Sequence, residues 1–189
     1  MKLLNLRIYS NLIYPLLLSQ EERNALNNYI HNGYRDINKE LRENNINESN
    51  INESNIIENN YITRIDSAIS KFNFNTKLTT YRTIYSSNPY TYNNIITMCK
   101  KGLILEKSYT STSLIDIFGI NNTSFVSPNY KIISYEIEVP NTSKQCIFLD
   151  KLSFKSKEQE LLLKRNSLIE VLDYNEIDNE LNIKGKLLV

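Results

Sequence analysis

Two carboxylates one residue apart, Glu158 and Glu160 on either side of Gln159, stand directly before the apolar run Leu161-Leu162-Leu163. In extended backbone, residues i and i+2 project from one face with alpha carbons roughly 6.5 to 7 Å apart, whereas on a helix the same spacing points them apart. The leucine run reads as a short buried strand, so both carboxylates are expected where a loop enters that strand. Carboxylates so placed repel each other when both are ionised, and their titrations are coupled. Two further chemical groups lie upstream: the hydroxyl triplet Ser111-Thr112-Ser113, and Arg82 in the stretch Leu78-Thr79-Thr80-Tyr81-Arg82. A guanidinium among apolar and aromatic strand residues is costly to leave unpaired, so Arg82 needs an anion. Its planar fork of donors matches phosphate oxygens better than a lysine would.

The elements that must position these residues can be read from patterning. Ser19-Gln20-Glu21-Glu22 has capping-box spacing, and Ala25, Leu26, Tyr29 and Ile30 recur at helical intervals, so a helix is expected to start near Gln20. Gly33 is expected to break it, with Tyr34, Ile37, Asn38 and Leu41 opening a second helix. From Asn44 to Asn60 the chain is rich in Asn, Ile, Glu and Ser, and Ile46-Asn47-Glu48-Ser49-Asn50 is repeated at once as Ile51-Asn52-Glu53-Ser54-Asn55. This reads as a long polar, low-complexity loop, since one short duplication is too little for a solenoid. Ile62 to Phe72 reads as a helix with Ile65, Ala68 and Ile69 inward, and Leu78 to Tyr85 as a strand. After a turn at Asn88-Pro89 a brief helix is expected around Ile95 to Lys100, then Gly102, then strand from Leu103 to Ser113. Tyr130 to Val139 alternates Ile132, Ser134, Glu136 and Glu138 against Ile133, Tyr135, Ile137 and Val139, a half-buried strand ended by Pro140. Short strands are expected at Ile147 to Leu149, Leu161 to Leu163, Leu168 to Leu172 and Leu181 to Val189. Helices lead and strands follow, the order of an α+β domain rather than of alternating βαβ units.

Composition sets the bounds. A chain of 189 residues, 41% apolar, can bury a core as a single domain without disulfides or a metal. A net charge of +1 supplies no basic field for nucleic acid. Cys99 and Cys146 lie far apart and His31 is the only histidine, so no metal site is expected and both cysteines read as small buried apolar residues. The apolar N-terminal run toward Leu18 is interrupted by Asn5, Arg7, Asn11 and Pro15, and no small-residue cleavage site follows, so it does not read as a signal peptide. No stretch approaches the roughly 20 apolar residues that span a bilayer, and the chain is expected to be soluble.

In their order along the chain, the motifs resemble one family: the mono-ADP-ribosyltransferases with an Arg, Ser-Thr-Ser and Glu-x-Glu signature, which include the enzymatic components of iota-type binary toxins. The resemblance runs through Leu18 to Glu22, the Tyr34, Ile37-Asn38, Leu41-Arg42 pattern, Tyr81-Arg82, Tyr109 to Leu114, and Glu158-Gln159-Glu160 with its following leucines. Each motif alone is common, and the order is what carries the likeness. It implies one catalytic domain over residues 1–189, built as N-terminal helices followed by a two-sheet mixed β core. It also implies NAD as substrate, cleaved at the nicotinamide-ribose bond, with ADP-ribose passing to a protein side chain and no metal taking part.

Residue roles follow from the same resemblance. Departure of nicotinamide leaves positive charge on the ribose, and Glu160 would stabilise it while accepting a hydrogen bond from a ribose hydroxyl. Glu158 would face the incoming acceptor, and in this family a Glu at that place goes with arginine modification. Free arginine has a pKa above about 12, so proton transfer is expected to accompany bond formation. Arg82 would take the diphosphate. Ser111 would hold Glu160 in one rotamer, with Thr112 and Ser113 bracing the strand. Phe125, in preference to Phe118, would stack on nicotinamide. Two departures stand out: only Lys131 could replace the Arg that family members carry after that Phe, and Lys155, with Phe154 before it, stands where an aromatic is usual ahead of Glu158. The expected activity is arginine-directed transfer to a target protein, actin by analogy. The chain would act as a toxin or effector, secreted or delivered to a target-cell cytosol, with a separate translocating component as one route. An NAD glycohydrolase and a non-catalytic module of the same fold are the alternatives.

Overall fold

The computed structural model describes residues 6, 12, 14–43, 53–73, 75–116, 129–141, 143–149 and 159–188. Ser19 caps α1 (Gln20–Asn28) with the full reciprocal box: Glu22 N donates to Ser19 Oγ at 3.2 Å, and Ser19 N donates to Glu22 Oε2 at 2.7 Å. Glu22 is buried, and Lys71 Nζ and Ser67 Oγ each donate to its carboxylate at 2.7 Å. Burial alone would raise its pKa, but the bonds from Lys71, Ser67 and the Ser19 amide outweigh that and hold it below the usual value. One carboxylate thus caps α1 and ties it to the end of α3 (Glu53–Ser70).

Gly33 does not break the helix as expected. A π-helical turn, Tyr29–Gly33, joins α1 to α2 (Tyr34–Glu43), and the residues flanking it keep right-handed helical backbone. The wide turn carries the chain on while Tyr29, Ile37 and Leu41 all reach the core. The polar segment from Asn44 to Asn60 is also not loop throughout, because α3 already begins at Glu53; residues 44–52 lie outside the described residues. Ile65, Ala68 and Ile69 are fully buried, and once such a face is anchored each preceding residue adds to the helix for one more hydrogen bond. Similarly, α4 (Pro89–Lys100) starts six residues before the expected Ile95: Asn88 Oδ1 accepts from Tyr90 N at 2.9 Å, and Pro89 takes the first turn, where no N–H is needed.

The strands are β1 (Leu78–Ser86), β2 (Leu103–Glu106), β3 (Thr110–Ser113), β4 (Lys131–Val139), β5 (Cys146–Phe148), β6 (Glu160–Leu163), β7 (Ser167–Ile177) and β8 (Glu180–Leu187). They run in the order β2-β7-β8-β4-β1-β3-β6-β5, and only β4 and β8 are parallel. The mixed α+β architecture is as expected. The two anticipated sheets are hydrogen-bonded into one, joined at a single paired position, Tyr81 with Ser113. β7 continues five residues past the expected Leu172 and turns into β8 through Asp178-Asn179, with Asp178 at φ 54°. Its outer end is exposed, which is why hydrophobic patterning did not announce it.

Helices α1 and α3 pack together, and the core between helices and sheet includes Leu26, Ile65, Phe72, Phe148 and Leu161 to Leu163. Ahead of α1, the Tyr14 hydroxyl donates to the Phe148 carbonyl and its ring meets Phe72 at 4.8 Å. Cys99 and Cys146 are buried and unbridged, and burial pushes their thiols up to about 11 and about 12, which leaves them poor nucleophiles. No helix among the described residues is long and apolar enough to cross a membrane.

Gly185 lies close against β7 in the β7–β8 hairpin, where an added Cβ would meet Ile169 Cγ2 at 2.5 Å and the Glu170 carbonyl oxygen at 3.1 Å. Ile169 is fully buried and has no room to withdraw. Gly185→Ala is therefore expected to cost about 1–3 kcal/mol by overpacking, read as a lower urea midpoint at unchanged m-value.

Candidate active site

The sheet places the hydroxyl triplet beside the second carboxylate. β3 and β6 pair antiparallel with Thr110 opposite Leu163, Thr112 opposite Leu161 and Ser113 opposite Glu160. Ser111 and Glu160 are therefore diagonal neighbours, and Ser111 Oγ donates to Glu160 Oε1 at 2.5 Å. Between the two serines, Thr112 turns to the other face, is buried, and donates to the Leu161 carbonyl at 2.7 Å. The backbone of Glu160 is fixed on its far side as well, since its carbonyl accepts from Leu149 N at 2.9 Å.

One sequence expectation needs correction here. Gln159 has φ 49°, a left-handed conformation, so the chain between the two carboxylates is not extended and the same-face rule for i and i+2 does not apply. The Gln159 side chain is buried and its carbonyl accepts from Leu114 N at 3.1 Å, which holds this turn in place. Glu158 itself, with Phe118 and Phe125, lies outside the described residues.

Arg82 sits on β1 opposite Tyr135 of β4 and is partly buried. Along β1 it alternates away from Tyr81, the residue in register with Ser113 and through it with Glu160. Arg82 and Glu160 nonetheless act on a common ring. Burial chiefly pushes the Tyr29 phenol up; Asn38 Nδ2, donating to its oxygen at 2.9 Å, opposes that, Glu160 adds to it, and Arg82 and Arg42 pull it back down. Tyr29, Asn38 and Arg42, all on the α1–α2 unit, thus belong to the same neighbourhood. Asn38 Oδ1 is buried with no partner among the described residues, an acceptor that a hydroxyl donor would satisfy. Sequence reasoning quoted Asn38 and Arg42 as parts of a pattern but gave them no role. Their spacing from Tyr29 on one helical unit was the available signal.

Lys131 does not join this group. It is four residues, roughly 13 Å, along β4 from Tyr135, bonds Asn179 Oδ1 at 2.7 Å and lies 5.1 Å from the Tyr92 ring. A cavity of about 360 Å³ has Tyr81, Asp116, Glu136, Asp173, Glu180 and Lys184 in its lining, and Glu160 is not part of it. Burial, then the charges of Glu136 and Asp116, raise the Tyr81 phenol. Among the described residues no group of three or more His, Cys, Asp or Glu is placed to hold a metal ion.

A second cluster secures the far ends of the same two strands. Asp66 on α3 accepts from Tyr109 Oη at 2.8 Å and from Arg165 Nε at 2.7 Å; Tyr109 precedes β3 and Arg165 follows β6. Tyr109 also meets the Tyr29 ring edge-on at 5.5 Å, so the clamp reaches the ring that senses Glu160 and Arg82.

With this geometry in place, comparison with known proteins is decisive at the level of the family. The ADP-ribosyltransferase exoenzyme family model matches residues 5–188, and the chain belongs to that family. Among solved structures, the ADP-ribosyltransferase Vis, a toxin from Vibrio splendidus, in complex with agmatine has a TM-score of 0.69 at 19% identity, over 99% of this chain and 84% of that one. The Clostridium limosum C3 exoenzyme has a TM-score of 0.70 at 21% identity, over 99% of this chain and 95% of that one. BECa, an ADP-ribosylating toxin of a binary enterotoxin of C. perfringens solved with NADH, has a TM-score of 0.68 at 22% identity, over 96% of this chain but 47% of its own. Comparison with curated protein sequences gives no match.

Removing the shared carboxylate should loosen both strands. Asp66→Ala leaves the Arg165 guanidinium without its carboxylate and the buried Tyr109 hydroxyl with only the Ile62 carbonyl at 3.0 Å, and is expected to cost about 1–3 kcal/mol in chemical denaturation. Asp66→Asn, which keeps one acceptor, should cost less.

Proposed function

We propose that the chain is a mono-ADP-ribosyltransferase that cleaves NAD at the nicotinamide-ribose bond and passes ADP-ribose to an arginine of a target protein. The hydrogen bond from Ser111 to Glu160 carries this reading, because it fixes one carboxylate at the edge of an otherwise apolar strand. As nicotinamide leaves, the ribose becomes cationic, and a carboxylate already oriented stabilises that charge without reorganising. Its remaining acceptor capacity suits a ribose hydroxyl. Arg82, with Arg42 as a second cation near Tyr29, supplies the charge an NAD diphosphate requires, and the orphaned Asn38 Oδ1 suits a sugar hydroxyl. Arg42 replaces Lys131 as the second phosphate contact, since Lys131 is engaged at the other end of β4. Thr112 and Ser113 brace the strand behind the site, Phe125 stacks on nicotinamide, and Glu158 orients the acceptor.

Two observations favour a cationic acceptor. The cavity lined in part by Tyr81 has Asp116, Glu136, Asp173 and Glu180 against Lys184, a surface that draws guanidinium groups and repels anions. Agmatine, bound in the Vis complex, carries the guanidinium that an acceptor arginine would present. Actin is the acceptor protein to test first. The chain acts, on this reading, as a secreted or delivered toxin, with a separate translocating component as one route into the target cell.

Incubation with NAD and agmatine separates transfer from hydrolysis: ADP-ribosyl-agmatine is expected, whereas free ADP-ribose alone would make the protein an NAD glycohydrolase. Glu160→Gln should lower nicotinamide release by at least about 100-fold, and Ser111→Ala by about tenfold, if the hydrogen bond matters mainly in the transition state. Equal release by wild type and Glu160→Gln would refute the role of Glu160, and no release by either would favour a non-catalytic module.

Arg82→Lys tests the diphosphate contact separately. The change keeps the charge but loses the fork, and about a tenfold rise in the KM for NAD is expected, with a smaller change in kcat.

A further inference from the structure

Between the strand that carries Arg82 and the strand that carries Ser111, the sheet has one paired position, Tyr81 with Ser113, against nine between β1 and β4. Where backbone pairing is that sparse, other bonds must hold the strands at a fixed separation. The side chain of Thr80 makes them. It is fully buried, with its hydroxyl 2.5 Å from Thr112 Oγ1 and 2.9 Å from the Ser113 carbonyl oxygen. Thr112 in turn donates to the Leu161 carbonyl. A hydroxyl has one proton, so with that of Thr112 committed to Leu161, the proton between the two threonines comes from Thr80. The result is a directed chain from β1 through β3 to β6. Each member is a near neighbour in sequence of a candidate catalytic or binding group: Thr80 of Arg82, Thr112 of Ser111, and Leu161 of Glu160.

We propose that Thr80 is a positioning residue for the transfer reaction. Through Thr112 it sets the gap between β1 and β6 at which Arg82 and Glu160 hold the diphosphate and the ribose of one NAD molecule. The inference rests on the roles given to Arg82 and Glu160 above. A dinucleotide held at one end still binds, but the reacting carbon must meet Glu160 to within a fraction of an ångström, so a change in the gap falls on kcat rather than on affinity. Valine has the shape of threonine without the hydroxyl. It leaves Thr112 Oγ1 without the donor that Thr80 supplies.

The test measures nicotinamide release and equilibrium binding of NAD with the full chain, at a temperature well below the melting point of every variant. Thr80→Val is expected to lower kcat about tenfold or more while NAD affinity stays within about twofold, and Thr80→Ser to restore most of the rate. Thr112→Val, which breaks the same chain at its middle, should give the same pattern and serves where Thr80→Val fails to fold. In the Arg82→Lys background Thr80→Val should cost less than its factor in the wild type, because both changes act on one gap. An unchanged kcat, equal loss of rate and affinity, no rescue by serine, or a fully multiplicative penalty with Arg82→Lys would each overturn the proposal. If Arg82→Lys and Glu160→Gln leave nicotinamide release untouched, the catalytic reading falls and this proposal with it. If they impair release and Thr80→Val does not, only the role of Thr80 falls.

Discussion

The register of β3 against β6 is the constraint on which the candidate site depends. With Ser113 opposite Glu160, the Ser111 hydroxyl reaches the carboxylate; a slip of one residue would turn every side chain of one strand to the other face and put a leucine where Glu160 stands. Burial holds the strand in place on both sides: Leu161 and Leu163 are fully buried on the face they share with Thr110 and Thr112, Leu162 is fully buried on the other, and exposing any one of them would forfeit roughly 1.5–3 kcal/mol. Polar bonds fix the ends: Leu149 and Leu114 around Glu160 and Gln159, and Asp66 with Tyr109 and Arg165 at the far end. The apolar core thus does what an exposed hydrogen bond of 2.5 Å could not do alone, which is to decide where the carboxylate is.

Charge is divided around this frame in a way the net value of +1 conceals. Arg82 and Arg42 bear on Tyr29, while carboxylates line the cavity that Tyr81 also lines. An anionic dinucleotide and a cationic acceptor would be drawn to different sides of the same strands, and each side would disfavour the other ligand. Glu160 lies in register with Ser113 and through it with Tyr81, and its charge is felt at the two phenols Tyr14 and Tyr29.

Much of the fold was legible because local chemistry and burial agreed. The capping box at Ser19, the alternation through β4 and the buried faces of α3 and β6 all combine a polar signal with an apolar period. Legibility failed where a single residue type was given one meaning. Gly33 was read as a stop, yet it lies within a wide turn that the helix absorbs; Pro89 was read as a turn, yet it begins a helix capped by Asn88. At the candidate site, Arg82, Ser111 and Glu160 could be singled out because guanidinium, hydroxyl and carboxylate announce their chemistry by type, and the structure brings Ser111 and Glu160 into contact. Tyr29, Asn38 and Asp66 were not: Asp66 acts through contacts 43 and 99 residues away along the chain, and Asn38 through a lone unpaired atom, so the spacing of Asn38 from Tyr29 marked them as neighbours without giving them a role.

Gln159 shows how a spacing can be read correctly and its geometry wrongly. Two carboxylates flanking one residue suggested a pleat that aims both the same way, but the left-handed backbone at Gln159 turns the chain as it enters β6. For a residue with a side chain, such a conformation costs on the order of 1 kcal/mol and persists only where the surroundings impose it. Here they do, by burying the side chain and engaging the carbonyl with Leu114, the residue that directly follows the hydroxyl triplet. The turn is thereby tied to the strand that holds Glu160.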